Sequence, residues 1–279
     1  MPKRKKNREP SSSRNKIFEH YYQSLYGERW EGDSFRPGGL RQSLVEETVP
    51  AAFTEGLREP YFLDPSSVLA ARSLRLPDEG TVLDACAAPG GKSLVIAAAL
   101  PEGARLLANE PSAARQRRLA VVLDRHLPGD KRKRVTVSGF DAAALGGRKS
   151  ERDRFAAILL DVPCSAERHV LRDPQALARW TPARPRFLAC RQWALLSSTF
   201  LLLRPGGSLT YVTCALSEEE NDGVAGRLLE KYGAALTLDR PDFAEGEDTR
   251  FGRIILPDRC GGRGPMYVAR FYKNEDAAE

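Results

Sequence analysis

Two cysteines stand where a chain can present a nucleophile to a ligand. Cys164 ends the segment Asp-Val-Pro-Cys at residues 161–164, and Cys214 follows Thr213. Because sulfur is a soft and strong nucleophile, a thiol adds readily to a pyrimidine ring and leaves again. Addition at carbon 6 makes carbon 5 of the ring electron-rich enough to take a methyl group. A buried small apolar residue is the alternative role of any single cysteine, and we assign that role to Cys86, Cys190 and Cys260.

A tight glycine turn follows an apolar strand at residues 82–92, which read Val-Leu-Asp-Ala-Cys-Ala-Ala-Pro-Gly-Gly-Lys. Gly90 and Gly91 let the backbone approach a ligand closely, and the helix that follows offers amide donors. On these features alone the ligand is either a nucleotide phosphate or an adenosine cofactor. A P-loop requires glycine at the position of Cys86, and Pro89 lacks an amide proton, so phosphate is the weaker alternative.

Acidic residues end three successive predicted strands. These residues are Glu110, Asp141 and Asp161. The carboxyl ends of parallel strands meet at one edge of a sheet, which is where such sheets bind ligands. Glu110 is placed to accept both hydroxyls of a ribose, and its alternative role is that of an acid at a helix start.

The elements that must position these residues alternate between strand and helix from residue 81 onward. This alternation predicts an α/β fold with a mainly parallel sheet covered by helices on both faces. Ser217 and Glu220 predict a capping box for the helix that follows them. The predicted strands are 81–86, 105–110, 135–140, 156–162, 208–214, 253–256 and 266–272, and the main predicted helices are 93–100, 112–127 and 186–203.

Length and composition exclude several classes of protein. With 279 residues, 42% of them hydrophobic, the chain can bury a substantial core, and its apolar runs are too short to span a membrane. Five scattered cysteines without a CxxC pair predict neither a metal site nor disulfides. We therefore expect a cytoplasmic protein, with a nucleolar or mitochondrial location as the alternative.

The net charge of +6 lies entirely in residues 1–16, which contain seven lysines and arginines and one glutamate. These residues predict a basic disordered tail. Its role is either that of a solvated terminus or localisation address, or that of an electrostatic arm for phosphate. Residues 17–60 predict a helical extension, with a helix from Ile17 followed by connecting structure at 30–60, and residues 61–279 predict the catalytic domain.

The motifs together resemble the Sun-type RNA (cytosine-5) methyltransferases over residues 61–272. This resemblance implies a Rossmann-like S-adenosylmethionine-dependent fold and 5-methylcytosine formation in RNA, with rRNA favoured over tRNA and a protein partner as one route to target choice. Two features depart from the commoner family pattern, namely residues 166–169 after Pro-Cys-Ser and Glu110 in place of aspartate. The motifs are residues 86–92, 161–165, 204–207, 211–214, 220–221 and 264–267.

The resemblance also implies roles for individual residues. Cys214 matches the nucleophile that bonds to the cytosine, and Cys164 matches the cysteine that helps to release the methylated product. Asp161 would hydrogen-bond the cytosine edge, either ionised or protonated, with Lys92 orienting it. The implied cofactor residues are Cys86, Ala87, Ala88, Pro89, Gly90, Gly91 and Lys92 around the methionine part, Glu110 at the ribose, Asp141 near the adenine, and Arg115 and Asp161 beside the cofactor.

Three other functions are alternatives to methylation of cytosine in RNA. A P-loop-like NTPase would use Lys92 for phosphate and Asp161 for magnesium. A DNA methyltransferase would use the thiol of Cys164 as its nucleophile. A non-catalytic RNA-binding scaffold is disfavoured because the chain retains both thiols.

Overall fold

The computed structural model describes residues 11–32, 34 and 37–276. The greater part of the predicted basic tail, residues 1–10, lies outside these residues. Within the described residues no helix is long and apolar enough to cross a membrane.

The chain forms twelve α-helices and eleven strands within the described residues. Two short 3₁₀ turns, Lys149–Glu151 and Gly233–Ala235, connect some of them. The strands are β1 Ala51–Phe53, β2 Tyr61–Leu63, β3 Glu79–Asp84, β4 Gly103–Asn109, β5 Val135–Ser138, β6 Phe155–Asp161, β7 Leu203–Thr213, β8 Leu236–Leu238, β9 Glu247–Asp248, β10 Arg253–Ile255 and β11 Met266–Lys273. The helices are α1 Ser11–Tyr26, α2 Glu28–Glu31, α3 Gly39–Val45, α4 Pro65–Arg72, α5 Gly91–Ala99, α6 Ala113–His126, α7 Gly129–Arg132, α8 Ala142–Leu145, α9 Glu167–Arg172, α10 Pro174–Arg179, α11 Ala183–Leu202 and α12 Asp222–Tyr232.

Nine strands form one sheet whose centre is parallel. Its order is β5-β4-β3-β6-β7-β11-β10-β9, and β8 pairs with β11. The pairs from β5 to β7 are parallel, whereas β11 runs antiparallel to β7 and begins an antiparallel margin. Since the chain leaves β3 first toward β4 and later toward β6, the strand order reverses at β3, and ligands of such sheets bind beside that point.

Both faces of the sheet are buried under helices, which confirms the predicted fold class. Strand β6 shows this directly, because its apolar residues alternate between the two sides. Ile158 packs in a core with α11 and α12, and Leu159 packs in a second core with α4, α5 and α6. A central strand buried on both faces has to be apolar at every position, as the run Phe-Ala-Ala-Ile-Leu-Leu is.

The N-terminal extension packs on the body through aromatic side chains. Helix α1 begins at Ser11, before the predicted start at Ile17. Phe18 and Tyr22 are fully buried, and Tyr22 stacks on Trp30 of α2 at 5.5 Å between ring centroids. The segment 30–60 therefore contains α2, α3 and β1, where the sequence predicted only connecting structure.

The predicted capping box is wrong. Helix α12 begins at Asp222 with Asn221 as its N-cap, and no side-chain hydrogen bond caps it. The carboxyl group of Glu220 instead points into the interior, where it bonds to Ser165 and accepts from Gln192. Buried donors outcompete the local cap because an unpaired buried polar group costs more than an unmade cap.

Candidate active site

The glycine turn lies between β3 and α5 at the carboxyl edge of the sheet. Gly90 has a φ of 120°, and a Cβ there would stand 3.0 Å from Val122 Cγ1, so the position requires glycine. A Cβ on Gly91 would approach Tyr61 Cε1 to 2.9 Å. The turn therefore keeps its backbone bare beside a cavity.

A cavity of about 120 Å³ lies against this turn. Asp84, the last residue of β3, lines the cavity and is buried. Its Oδ2 accepts from Ser93 at 2.6 Å, while Oδ1 has no hydrogen-bond partner within the described residues. Burial raises the pKa of Asp84 to about 7, although the bond from Ser93 opposes that rise. An orphaned carboxyl oxygen at a cavity wall fits a ligand that carries a cationic donor.

Asp84 is expected to make the protein less stable as the pH rises. Its pKa is higher in the folded protein than the ordinary value of 3.8, so the stability that it contributes in acid is lost between about pH 4 and about pH 7. We expect Asp84→Asn to remove this titration. Between pH 5 and pH 8 the free energy of unfolding of the variant should therefore fall by about 3 kcal/mol less than that of the parent. Denaturant unfolding at both pH values measures it. Equal losses in the variant and the parent would show that Asp84 is already ionised.

A second, larger cleft of about 580 Å³ continues from the first cavity. Both Cys164 and Cys214 line it. The two cavities have wall residues in common, which makes them adjoining parts of one site, and the volume of the larger lies in the range of about 300–1,000 Å³ of ligand pockets. The shared residues are Ser67, Cys86, Ala88, Lys92 and Asp161.

The two thiols are in direct contact, with 2.7 Å between the sulfur atoms of Cys164 and Cys214. The hydrogen bond to Cys214 and burial raise the pKa of Cys164 well above its ordinary value. Cys164 therefore stays protonated, and either of the two sulfurs can be the donor in this contact. Burial also raises the pKa of Cys86, which lines both cavities.

Lys92 and Asp161 form an ion pair between the turn and the thiols. Lys92 Nζ donates to Asp161 Oδ2 at 2.8 Å. Burial lowers the pKa of Lys92, but Asp161 outweighs that effect, so the pKa is raised and the side chain stays cationic. The carboxylate of Asp161 is thus held at the border of the two cavities, as predicted for a residue oriented by Lys92.

The predicted ribose and adenine residues lie farther from the cavities. Glu110 is buried, accepts from Ser112 N at 2.9 Å and pairs with Arg115 at 3.2 Å. Arg115 lines the large cleft and donates to Ala88 O at 2.9 Å, which ties Glu110 to the glycine turn. Asp141 is exposed and caps α8 by accepting from Ala143 N. Neither Glu110 nor Asp141 lines either cavity.

The structure therefore brings most of the predicted residues together and adds others. Gly90, Glu110 and Asp141 do not line the joined cavities. The predicted residues that do line them are Cys86, Ala87, Ala88, Pro89, Gly91, Lys92, Arg115, Asp161, Cys164 and Cys214. The residues that the sequence analysis missed include Asp84, Ser67, Tyr61, Arg168, Arg172 and Met266.

One of these residues had a signal in the sequence. Asp84 is an acid in the predicted strand 81–86, but it becomes the last residue of its strand only in the structure, where β3 ends at Asp84. No group of three or more histidines, cysteines, aspartates or glutamates within the described residues could hold a metal ion.

The parallel sheet with its glycine turn and paired thiols defines a class, that of Rossmann-like α/β proteins with two cysteines in the cleft at the carboxyl edge of the sheet. The model of the protein family described as 16S rRNA methyltransferase RsmB/F matches residues 71–272 of the chain. The chain belongs to this family, which confirms the resemblance seen in the motifs.

Individual relatives agree with this assignment. The ribosomal RNA small subunit methyltransferase F of Aeromonas salmonicida (strain A449) is 40% identical over 207 residues, which are 72% of this chain and 42% of that protein. The chain thus spans about two fifths of the length of the curated relatives that it matches.

Two solved structures are also similar. NSun6 from Pyrococcus horikoshii with SFG superposes with a TM-score of 0.66 and 26% identity, over 80% of this chain and 55% of the other. A methyltransferase homologue from the same organism superposes with a TM-score of 0.62 and 25% identity, over 79% and 70% of the two chains.

Proposed function

We propose that this chain methylates carbon 5 of cytosine in RNA with S-adenosylmethionine as the methyl donor. One observation carries the proposal. Cys214 lines the same cleft as the glycine turn, and a second thiol lies 2.7 Å from its sulfur. A nucleophile and a cofactor cradle that face one cavity are what attack on a base beside a methyl donor requires.

The turn and its surroundings fit the cofactor. The orphaned Oδ1 of Asp84 would accept from the ammonium group of the methionine part, and Gly91 lines the same cavity. Glu110 would accept from the ribose hydroxyls in addition to its bonds with Ser112 N and Arg115, which already engage its two oxygens, and Asp141 would lie near the adenine. When bound, S-adenosylmethionine supplies an electrophilic methyl group.

The thiols divide the work on the base between them. Cys214 would lose its thiol proton to solvent and bond through sulfur to carbon 6. The electron pair of the double bond between carbons 5 and 6 then shifts toward carbon 5 and makes that carbon nucleophilic. After carbon 5 is methylated, its proton passes to solvent and the carbon–sulfur bond breaks. Cys164 donates to the departing sulfur and so stabilises it as a leaving group.

The ion pair of Lys92 with Asp161 favours cytosine over uracil. A carboxylate paired with an ammonium group is an acceptor, so Asp161 would accept from the exocyclic amino group of cytosine. Uracil presents a carbonyl oxygen at that position, and two acceptors repel. Of the two protonation states considered for Asp161, the ionised one is therefore the one we propose.

The substrate that we propose is small-subunit rRNA. The name of the Aeromonas relative supports it, whereas tRNA remains the alternative for the same chemistry. A target base has to leave its stack to reach Cys214, so unpaired cytosines are the expected targets. A protein partner that helps to choose the target belongs to the same proposal.

Incubation with S-adenosylmethionine labelled at its methyl group tests the function. We expect label in 16S rRNA, at cytosines that become resistant to bisulfite conversion, and much less label in tRNA. We also expect the cofactor to raise the melting temperature by about 5 °C when it is present at 100 times its Kd, whereas ATP with magnesium should have no effect. Stabilisation by ATP alone, without methyl transfer, would favour the NTPase instead.

A further inference from the structure

Two buried glutamates lie directly behind the thiols. Glu167, at the start of α9, and Glu220, before α12, are fully buried, and we call them the acid pair. The hydroxyl of Ser165 lies between them and contacts Oε1 of each. Because Ser165 follows Cys164 in the chain, the acid pair lies next to the site. Neither glutamate lines the two cavities.

Hydrogen-bond donors converge on Glu167. Its Oε1 accepts from the hydroxyl of Tyr22 in α1, and its Oε2 accepts from Leu216 N at 3.0 Å. Burial and the neighbouring Glu167 raise the pKa of Tyr22 well above its ordinary value, so the phenol keeps its proton and donates it. Burial raises the pKa of Glu167 as well, whereas the bonds from Ser165, Tyr22 and Leu216 lower it. Because these donors give both of its oxygens the role of acceptor, Glu167 is the member of the pair that we expect to be ionised.

Glu220 has a different set of partners. Its Oε2 accepts from Ser165 N at 3.0 Å and from Gln192 Nε2 at 2.8 Å. Within the described residues, its Oε1 contacts only the hydroxyl of Ser165. That hydroxyl has a single proton. When Ser165 donates it to Glu167, the contact with Glu220 is a hydrogen bond only if Glu220 carries a proton and donates it to Ser165.

We infer that the acid pair shares one proton, that this proton resides on Glu220, and that ionised Glu167 is a positioning residue for both thiols. Glu167 holds Ser165 on one side and Leu216 on the other, so it joins the loop after Cys164 to the loop after Cys214. Helix α1 completes the link, because Tyr22 binds Glu167 and Tyr26 donates to Leu216 O at 2.9 Å. The effect on methyl transfer rests on the proposed function, whereas the arrangement itself does not.

The shared proton makes the arrangement sensitive to pH. Burial and Glu167 raise the pKa of Glu220 to about 7, so a second negative charge enters the buried cluster as the pH rises through that value. The titratable groups that face the pair have raised pKa values and stay neutral in this range. They are Tyr21, Tyr22 and Tyr26 of α1, Tyr211 of β7 and the thiol of Cys164.

Two matched amide variants test the inference. In Glu220→Gln the amide nitrogen can replace the protonated oxygen and donate to Ser165, so every contact is kept. In Glu167→Gln an amide nitrogen either faces Leu216 N, donor against donor, or faces the hydroxyls of Tyr22 and Ser165, which then have to turn to accept and lose Glu167 as their own acceptor. We expect Glu167→Gln to lower kcat about tenfold with little change in KM for the cofactor. We expect Glu220→Gln to stay within about threefold of the parent below pH 7 and to exceed it increasingly above pH 7.

A second measurement needs neither RNA nor the cofactor. The rate at which iodoacetamide alkylates Cys214, mapped by mass spectrometry between pH 6 and pH 9, reports the positions of the thiols. The ratio of the alkylation rate in Glu220→Gln to the rate in the parent should change as the pH passes through about 7. The alkylation rate in Glu167→Gln should differ from that in the parent at every pH. Equal effects of the two amides, or a ratio that is flat across pH 7, would overturn the inference.

The two readouts separate this inference from the proposed function. Absence of methyl transfer in the parent would contradict the function alone, since alkylation still tests the acid pair. If Glu167→Gln does not fold, the pH dependence of unfolding in Glu220→Gln decides. That variant should lose less stability than the parent between pH 5 and pH 8, because the titrating carboxyl is gone, and an equal loss contradicts the shared proton.

Discussion

Replacement of Cys214 by alanine is expected to lower methyl transfer to RNA by about 10⁴-fold or more. The reason is chemical, because carbon 5 of cytosine becomes nucleophilic only after a nucleophile adds at carbon 6. Cys164 does not replace Cys214 in this role, since burial raises the pKa of Cys164 and this cause remains when the contact with Cys214 is removed. The measurement is incorporation of labelled methyl groups into 16S rRNA under single-turnover conditions.

A matched control makes the result specific. Cys190 lies exposed on α11, away from the cleft, and Cys190→Ala should methylate RNA at the parental rate. Cys214→Ala should still be stabilised thermally by S-adenosylmethionine, because the cofactor cradle is built from the glycine turn. Turnover by Cys214→Ala at a rate near that of the parent would contradict the assignment of the nucleophile.

Replacement of Cys164 by alanine is expected to produce the opposite defect, an enzyme that starts the reaction and cannot finish it. The bond between Cys214 and the base forms without Cys164. Its cleavage requires the sulfur to leave, and Cys164 is the donor that contacts that sulfur at 2.7 Å. Without this donor the leaving group is poorer, so the covalent protein–RNA adduct should accumulate while turnover stops after about one cycle.

The adduct is detected as a complex that survives denaturing electrophoresis. It should need S-adenosylmethionine for full yield and should be absent from the double variant Cys164→Ala/Cys214→Ala. Replacement of Cys164 with serine keeps a hydroxyl donor, so we expect partial release. Multiple turnovers by Cys164→Ala without an adduct would show that Cys164 has no part in product release.

Local patterns were enough to predict the framework of the site. The turn at Gly90 and Gly91 is recognisable from its paired glycines after an apolar strand, and residues 156–162 are recognisable as a strand from their apolar run. Once a parallel sheet is inferred, its topology brings the ends of β3, β6 and β7 to one edge. Cys164 and Cys214 were therefore placed together without a structure.

Errors arose where a side chain had a choice of partners. Glu220 was expected to cap a helix close by, and it binds Ser165 and Gln192 in the interior instead. Glycine, proline and charge dominate segment 30–60, and this composition predicts connecting structure. Trp30 is nevertheless buried against α1, a contact that composition does not reveal.

The amino-acid sequence by itself determined the parallel α/β framework, the glycine turn and the edge at which the two thiols meet. Each of these depends on backbone conformation and on periodicity, which short segments encode. The tertiary structure alone decided that Asp84 keeps an unpaired oxygen and that Glu167 receives its donors from Tyr22 and Leu216. These features depend on burial and on contacts between distant segments, because a buried carboxyl group binds whichever donors the fold brings within reach.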